Sequence, residues 1–162
     1  MIPIKRLNHA VLFVQDLDRN VDFYVRAFGF EVISSTPGQA AFLRAKGSQN
    51  HHDLGLFATQ RDASRPPRGT PGLYHLAWEV SRIEDLASAR KILSDLGALI
   101  GESDHGATKS LYGYDPDGNE FEVMWLVPRE NWGEYEHSAT IERLNLDREL
   151  ARYAGSAKAA EQ

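Results

Sequence analysis

Apolar and polar positions follow the same order in two stretches of the chain. Residues 7–32 read LNHAVLFVQDLDRNVDFYVRAFGFEV, and residues 73–100 read LYHLAWEVSRIEDLASARKILSDLGALI. Each opens on Leu-x-His, runs on as an apolar strand, then an amphipathic helix, then a glycine. In the first copy Val21, Tyr24, Val25 and Phe28 fall at helical spacing and make one apolar face. Asp16 or Asp18 can cap that helix, and Gly29 can end it in a left-handed turn. In the second copy Ser81 and Glu84 have the spacing of a capping box. Leu86, Ala89, Leu93 and Leu96 form its stripe, and Gly97 stops it.

Three short strand patterns follow each helix, at about 30–34, 39–45 and 53–59, then about 98–103, 109–114 and 120–126. The order β-α-β-β-β therefore occurs twice, and predicts an α+β fold. A repeat that cannot bury its sheet face alone packs against its twin. Residues 58–72, ATQRDASRPPRGTPG, read as a linker between the copies, with a substrate-covering flap as the alternative. Ile141, Leu144 and Leu150 predict a helix within 138–151, and 155–162 read as a frayed tail. The expected organisation is one domain over 1–130, with modules at about 5–60 and 72–126, and a C-terminal helical extension over 131–162.

Composition narrows the function classes. The 162 residues are 42% hydrophobic and 25% charged, as in an ordinary globular chain. A formal charge of −5 gives no reason to bind nucleic acid or anionic lipid. No apolar run reaches membrane-spanning length, and MIPIKRLNHA lacks the form of a signal peptide, so the expected location is the cytoplasm. The chain has no cysteine, so any metal must be held by His, Asp or Glu.

Strand alternation puts His9, Val11 and Phe13 on one face, and His75, Ala77 and Glu79 on the matching face of the second copy. The two histidines thus hold equivalent places. The last strand, within SLYGYDPDGNEFEVMW, adds Glu120 and Glu122, and alternation alone does not choose between them. Two imidazoles and a carboxylate with open positions suit non-haem Fe(II) and oxygen chemistry, with Mn(II), Zn(II) or Ni(II) as other occupants.

On these residues the chain resembles the vicinal oxygen chelate superfamily of glyoxalases, bleomycin-resistance proteins and extradiol dioxygenases, over about residues 5–126. The resemblance implies paired βαβββ modules forming a curled mixed sheet around a metal cup. It implies ligands at His9 (Asn8-His9), His75 (Tyr74-His75-Leu76) and Glu122, which closes the D-P-D-G-N-x-x-E motif begun at Asp115. Among the branches, NHHDLGLF and DHGATKSLYGYDPDGN resemble the extradiol catechol dioxygenases. That likeness implies His52 as acid–base residue, with His51 the lesser candidate, His105 on the oxygen side, and Tyr112 at a catecholate oxygen. The implied reaction is Fe(II)-dependent insertion of O2 into an aromatic diol, with Mn(II) as another candidate metal, by a homo-oligomer with no nucleic-acid or membrane partner.

Some features depart from that pattern. The common extradiol enzymes carry two such domains, and this chain has one. The interval between His52 and His75 is long, and Arg61, Arg65 and Arg68 within it are either a solvated loop or a preference for a carboxylate-bearing substrate. A glyoxalase-type isomerase uses a carboxylate from the end of the first module, and DLGLFATQ offers no Glu. An epimerase or a thiol transferase is a remaining alternative. A metal-free drug-binding protein generally loses the ligands that are present here.

Overall fold

The computed structural model describes residues 1–59, 63–65, 67 and 69–155. The chain divides into two units, Met1–Pro71 and Gly72–Gln162, so the break falls at the end of the stretch read as a linker. The first unit is β1 (Ala10–Val14), α1 (Leu17–Phe28), β2 (Glu31–Thr36), β3 (Ala40–Arg44) and β4 (Leu54–Ala58). The second is β5 (Leu76–Val80), α2 (Ile83–Asp95), β6 (Leu99–Asp104), β7 (Thr108–Tyr114) and β8 (Glu120–Leu126). Two short 3-10 turns, Arg129–Asn131 and Gly133–Glu136, then lead to α3 (Leu146–Tyr153). The α+β reading and the doubled β-α-β-β-β order hold.

Each unit carries a four-stranded mixed sheet of the same topology, β1-β4-β3-β2 and β5-β8-β7-β6. The first and last strands pair in parallel, Ala10 opposite Leu54 and Leu76 opposite Phe121, and the other pairs are antiparallel. The register slips at matching places, between Val32 and Ser34 and between Leu99 and Gly101. The repeat therefore extends to a local irregularity of the backbone.

In β1 the inward Leu12 and Val14 are 8% and 0% exposed, while Val11 and Phe13 are 51% and 74% exposed. The helix thus covers one face, and the face that shares alternation with His9 stays open. Leu43, Leu54, Leu56 and Tyr24 complete the buried side of the first unit. Leu86, Leu93, Leu111, Phe121 and Trp125 do so in the second. Gly113 of β7 sits under Phe121: a Cβ there would lie 2.4 Å from the ring and 2.8 Å from the Ala98 carbonyl.

Asp16 caps α1, its carboxylate accepting from the Arg19 N–H at 3.0 Å, and Gly29 ends the helix at φ 66. The buried stripe of α1 differs from the expected one. It runs Leu17, Asn20, Phe23, Tyr24, and Val25 is exposed. Asn20 takes a core position because its amide donates to the Asp16 carbonyl at 2.8 Å. The Ser81–Glu84 capping box does not form. Arg82 is the N-cap of α2 without a side-chain bond, and the Glu84 carboxylate instead accepts from the Gly155 N–H. In the same helix Ile83, Leu86 and Leu93 are buried, and Leu96, its C-cap, is exposed. The C-terminal helix starts later than its apolar spacing predicts. Asn145 caps it, Leu144 lies just ahead of it, and Ile141 is exposed. Among the described residues, no helix is long and apolar enough to cross a membrane.

Candidate active site

In the first unit His9 immediately precedes β1 and His52 immediately precedes Asp53 and β4. The parallel pairing of those strands brings the two imidazoles together, ring centres 4.5 Å apart. Phe42 meets His52 edge-on at 5.0 Å, and the Nδ1 atoms of His51 and His52 are 3.0 Å apart. The His52 imidazole is held below its ordinary value, first by partial burial and then by His9 and His51, with Asp53 pulling the other way.

Asp53 organises this corner. Its carboxylate accepts from the Ala45 N–H at 2.8 Å, the Ser48 hydroxyl at 2.8 Å and the Asn50 amide at 2.6 Å. Burial pushes its carboxyl up, but these hydrogen bonds outweigh that and hold it below the usual aspartate value. Asn50 also donates to the Asn8 carbonyl at 2.7 Å and accepts from the Asn8 amide at 3.1 Å and from the Arg6 guanidinium. With the Asn8 amide nitrogen so engaged, its Oδ1 is the atom 2.8 Å from His9 Nδ1. Nδ1 must then carry the proton, and Nε2 of His9 keeps its lone pair. A backing acceptor of this kind commonly orients a metal-bound histidine.

In the second unit His75 immediately precedes β5, and Glu122 lies on β8, in register with Ala77. His75 Nε2 is 3.1 Å from Glu122 Oε2, and both side chains are largely buried. The tight turn ahead of β8 explains the fixed placement of Glu122. Asp115 Oδ1 accepts from the N–H groups of Asp117 at 3.0 Å and Asn119 at 2.8 Å, and Oδ2 takes the Asn119 amide at 2.8 Å. Gly118 supplies the left-handed residue at φ 76. Of the two carboxylates, Glu122 is 9% exposed and faces His75, whereas Glu120 stands opposite Tyr114 nearer the strand's start.

Tyr112 pairs with Glu122 across β7 and β8, and its ring centre is 5.7 Å from that of His75. Burial, and then the nearby Glu122 charge, push its phenol up. His105, in the turn between β6 and β7, has Nε2 2.8 Å from the Tyr112 hydroxyl and Nδ1 2.8 Å from the Thr140 carbonyl. The expected site residues therefore gather as His9 with His52 in one unit and as His75, Glu122, Tyr112 and His105 in the other.

Within neither unit do three His, Asp or Glu side chains gather as a metal-holding group among the described residues. The donors present nonetheless suit a cation. Glu122 is a buried carboxylate whose ion-pair partner is an imidazole and not a Lys or Arg. His75 Nδ1 is buried without a hydrogen-bond partner among the described residues. Burial of a carboxylate is costly without positive charge beside it. Holding a cation on both groups would use the Nε2 lone pair of His75 and so displace the proton now shared with Glu122.

Sequence reading missed Asn50 and Thr140. Asn50 stands beside the quoted His51-His52, and an amide flanking two histidines was the available signal. Thr140 acts through its backbone carbonyl, for which sequence carries no mark. Of the linker arginines, Arg61 and Arg68 lie outside the described residues.

A family model described as the glyoxalase/bleomycin resistance protein/dioxygenase superfamily matches residues 6–123. The chain is 33% identical over 129 residues to a catechol-2,3-dioxygenase of Bacillus subtilis, covering 78% of this chain and 43% of that one. It is 28% identical over 131 residues to a manganese-dependent 2,3-dihydroxybiphenyl 1,2-dioxygenase of Geobacillus genomosp. 3, covering 78% and 38%. The chain thus spans less than half the length of these two enzymes. Among solved structures, a fosfomycin resistance protein of Listeria monocytogenes complexed with Mn(II) and sulfate superimposes with a TM-score of 0.62 at 22% identity, over 82% of this chain and 98% of that one. That likeness is one of fold.

Proposed function

The chain belongs to the glyoxalase/bleomycin resistance protein/dioxygenase superfamily, and from that premise we propose that it is an extradiol ring-cleaving dioxygenase acting on a catechol-type diol. The observation that carries this reading is the largely buried His75–Glu122 pair at 3.1 Å, with Tyr112 and His105 beside it. His9, His75 and Glu122 are the residues that would hold the metal, Fe(II) in this reading, with Mn(II) the next candidate because one relative is named for it. When bound, the metal supplies a common attachment for the diol oxygens and O2 and a path for electron density between them.

The chain's own residues have separate tasks. Asn8 keeps the lone pair of His9 Nε2 available. His52, held below its ordinary value, is neutral near pH 7 and takes a diol proton, then returns it as the O–O bond breaks. Tyr112 stands at a substrate oxygen, and His105 supports it at 2.8 Å. Both oxygen atoms enter the product, a hydroxymuconic semialdehyde type of ring-opened acid, so no outside reductant is needed. We place the reaction in the cytoplasm, in a homo-oligomer with no nucleic-acid or membrane partner.

Anaerobic purification, loading with Fe(II) or Mn(II), and addition of catechols with O2 test the reading. The expected result is a yellow ring-opened product with one O2 consumed per diol. Glu122→Gln should lose the metal. Metal demonstrably bound with no product from any catechol would overturn the dioxygenase assignment.

A further inference from the structure

We infer that the C-terminal segment is a working part of the site. The Thr140 carbonyl fixes His105 in the tautomer whose Nε2 accepts a hydrogen bond from the Tyr112 hydroxyl. The role in turnover rests on the proposed dioxygenase reading. The tautomer itself does not.

A carbonyl oxygen can only accept, so the 2.8 Å contact between His105 Nδ1 and Thr140 O requires the proton on Nδ1. In the neutral ring that is the one N–H, and Nε2 is then a bare acceptor. Against the neutral ring the Tyr112 hydroxyl, 2.8 Å away, is the donor. Tyr112 thereby turns its proton away from Glu122, its cross-strand partner on β8. A bound diol would then meet Tyr112 through the phenol's oxygen lone pairs, as acceptor of a substrate O–H rather than as a donor to it.

The position of that carbonyl is built by several independent contacts. Asp104 and Glu142 exchange both backbone hydrogen bonds, at 2.8 and 3.0 Å, two residues from Thr140. The Lys109 ammonium pairs with Asp104, lies 3.8 Å from Glu149 and donates to the Gly106 carbonyl at 3.1 Å. Arg148 reaches Glu149 at 2.8 Å and Asp104 at 3.3 Å. Lys109, Asp104 and Glu149 are all nearly inaccessible to solvent. The Tyr135 ring lies flush on Gly106, the residue after His105. A Cβ there would come within 2.3 Å of the ring, and φ is +79. Leu144 and Leu146 anchor the segment in the core. Buried charge, backbone pairing and aromatic packing all converge on one short turn, and that turn carries His105.

The test uses the 15N-labelled full chain without metal, read by long-range 1H–15N correlation of the histidine rings. The expected result is a single His105 form with the proton on Nδ1, and a Tyr112→Phe variant in which the Nε2 resonance moves and the Nδ1 proton stays. Glu142→Pro deletes the N–H that bonds to Asp104 and should release His105 to mixed tautomers, with the amide spectrum of β5–β8 preserved. If that variant does not fold, Arg148→Ala, at an exposed side chain, reads the same effect. A wild-type His105 protonated on Nε2, or averaging between forms, overturns the inference. So does an unchanged tautomer in a variant whose Asp104 amide has become exchangeable. In turnover, Glu142→Pro should keep its metal and lose about tenfold or more in kcat with a smaller change in KM. Absence of turnover in the metal-loaded wild type, with the tautomer as stated, refutes the dioxygenase reading and leaves this one standing.

Discussion

Replacing Asp53 by alanine removes the acceptor that holds the corner between β3 and β4. Three hydrogen bonds converge on that carboxylate, from Ala45 N–H, the Ser48 hydroxyl and the Asn50 amide, at 2.6–2.8 Å. A bond to a charged acceptor is worth about 1.5–3 kcal/mol where solvent is excluded. Asp53 is half-buried, so water recovers part of each, and the expected loss is about 2–4 kcal/mol in total. For a chain of this size that corresponds to a fall in Tm of about 5–15 °C, read by circular dichroism. The sign of the pH dependence follows from the lowered carboxyl. A depressed native value contributes stability above the unfolded aspartate value of about 3.9, and that contribution is lost as pH falls through the native value. The gap between wild type and Asp53→Ala should therefore be full above about pH 5 and close below about pH 4. Metal affinity should fall by about 10–100-fold, because Asn50 no longer steadies Asn8 behind His9. A Tm change below about 2 °C, or a gap that stays constant into acid, would refute the role given to Asp53.

Three further substitutions probe separate features. His52→Phe keeps a ring against Phe42 and should retain the metal while losing about 10²–10⁴-fold in turnover; normal turnover would remove His52 from the acid–base role. Lys109→Met leaves the buried carboxylates of Asp104 and Glu149 with only the exposed Arg148 guanidinium as a cationic partner and should cost about 2–4 kcal/mol in urea unfolding, with a cost under about 1 kcal/mol contradicting the buried cluster. Gly113→Ala drives a methyl group into Phe121 and should cost about 1–3 kcal/mol in the same experiment, whereas a neutral effect would mean that the Phe121 ring gives way freely.

The strands were legible because alternation and turn residues agree in both copies. The second copy served as a check on the first. Residues within helices were less legible, since the core stripe of α1 includes Asn20, a polar residue that satisfies its amide on the Asp16 carbonyl. Ser81 and Glu84 had capping spacing, but Glu84 turned to the Gly155 N–H, a partner 71 residues away in sequence. The choice of Glu122 over Glu120 could not come from period alone. It came from the resemblance, whose D-P-D-G-N-x-x-E motif ends on Glu122, and in the structure that carboxylate lies 3.1 Å from His75. Thr140 was illegible for a general reason: any residue has a backbone carbonyl, and its usefulness depends on where distant charges such as Lys109 and Glu149 dock the segment.

The parallel pairing of first and last strands orders events during synthesis. In the first unit β2 and β3 can close a hairpin as soon as they are made, but β1 has no partner until β4 exists. Local contacts form early, and pairings distant in sequence form late. As the chain is made from its N-terminus, β1 waits with Leu12 and Val14, which the finished fold buries, still uncovered, a window in which chains can associate wrongly. The same delayed event brings His9 to His52 and Asn8 to Asn50. A folding intermediate with a finished hairpin and an undocked β1 would therefore hold ordered sheet yet have no assembled histidine corner, so recovery of metal binding should lag behind recovery of secondary structure on refolding.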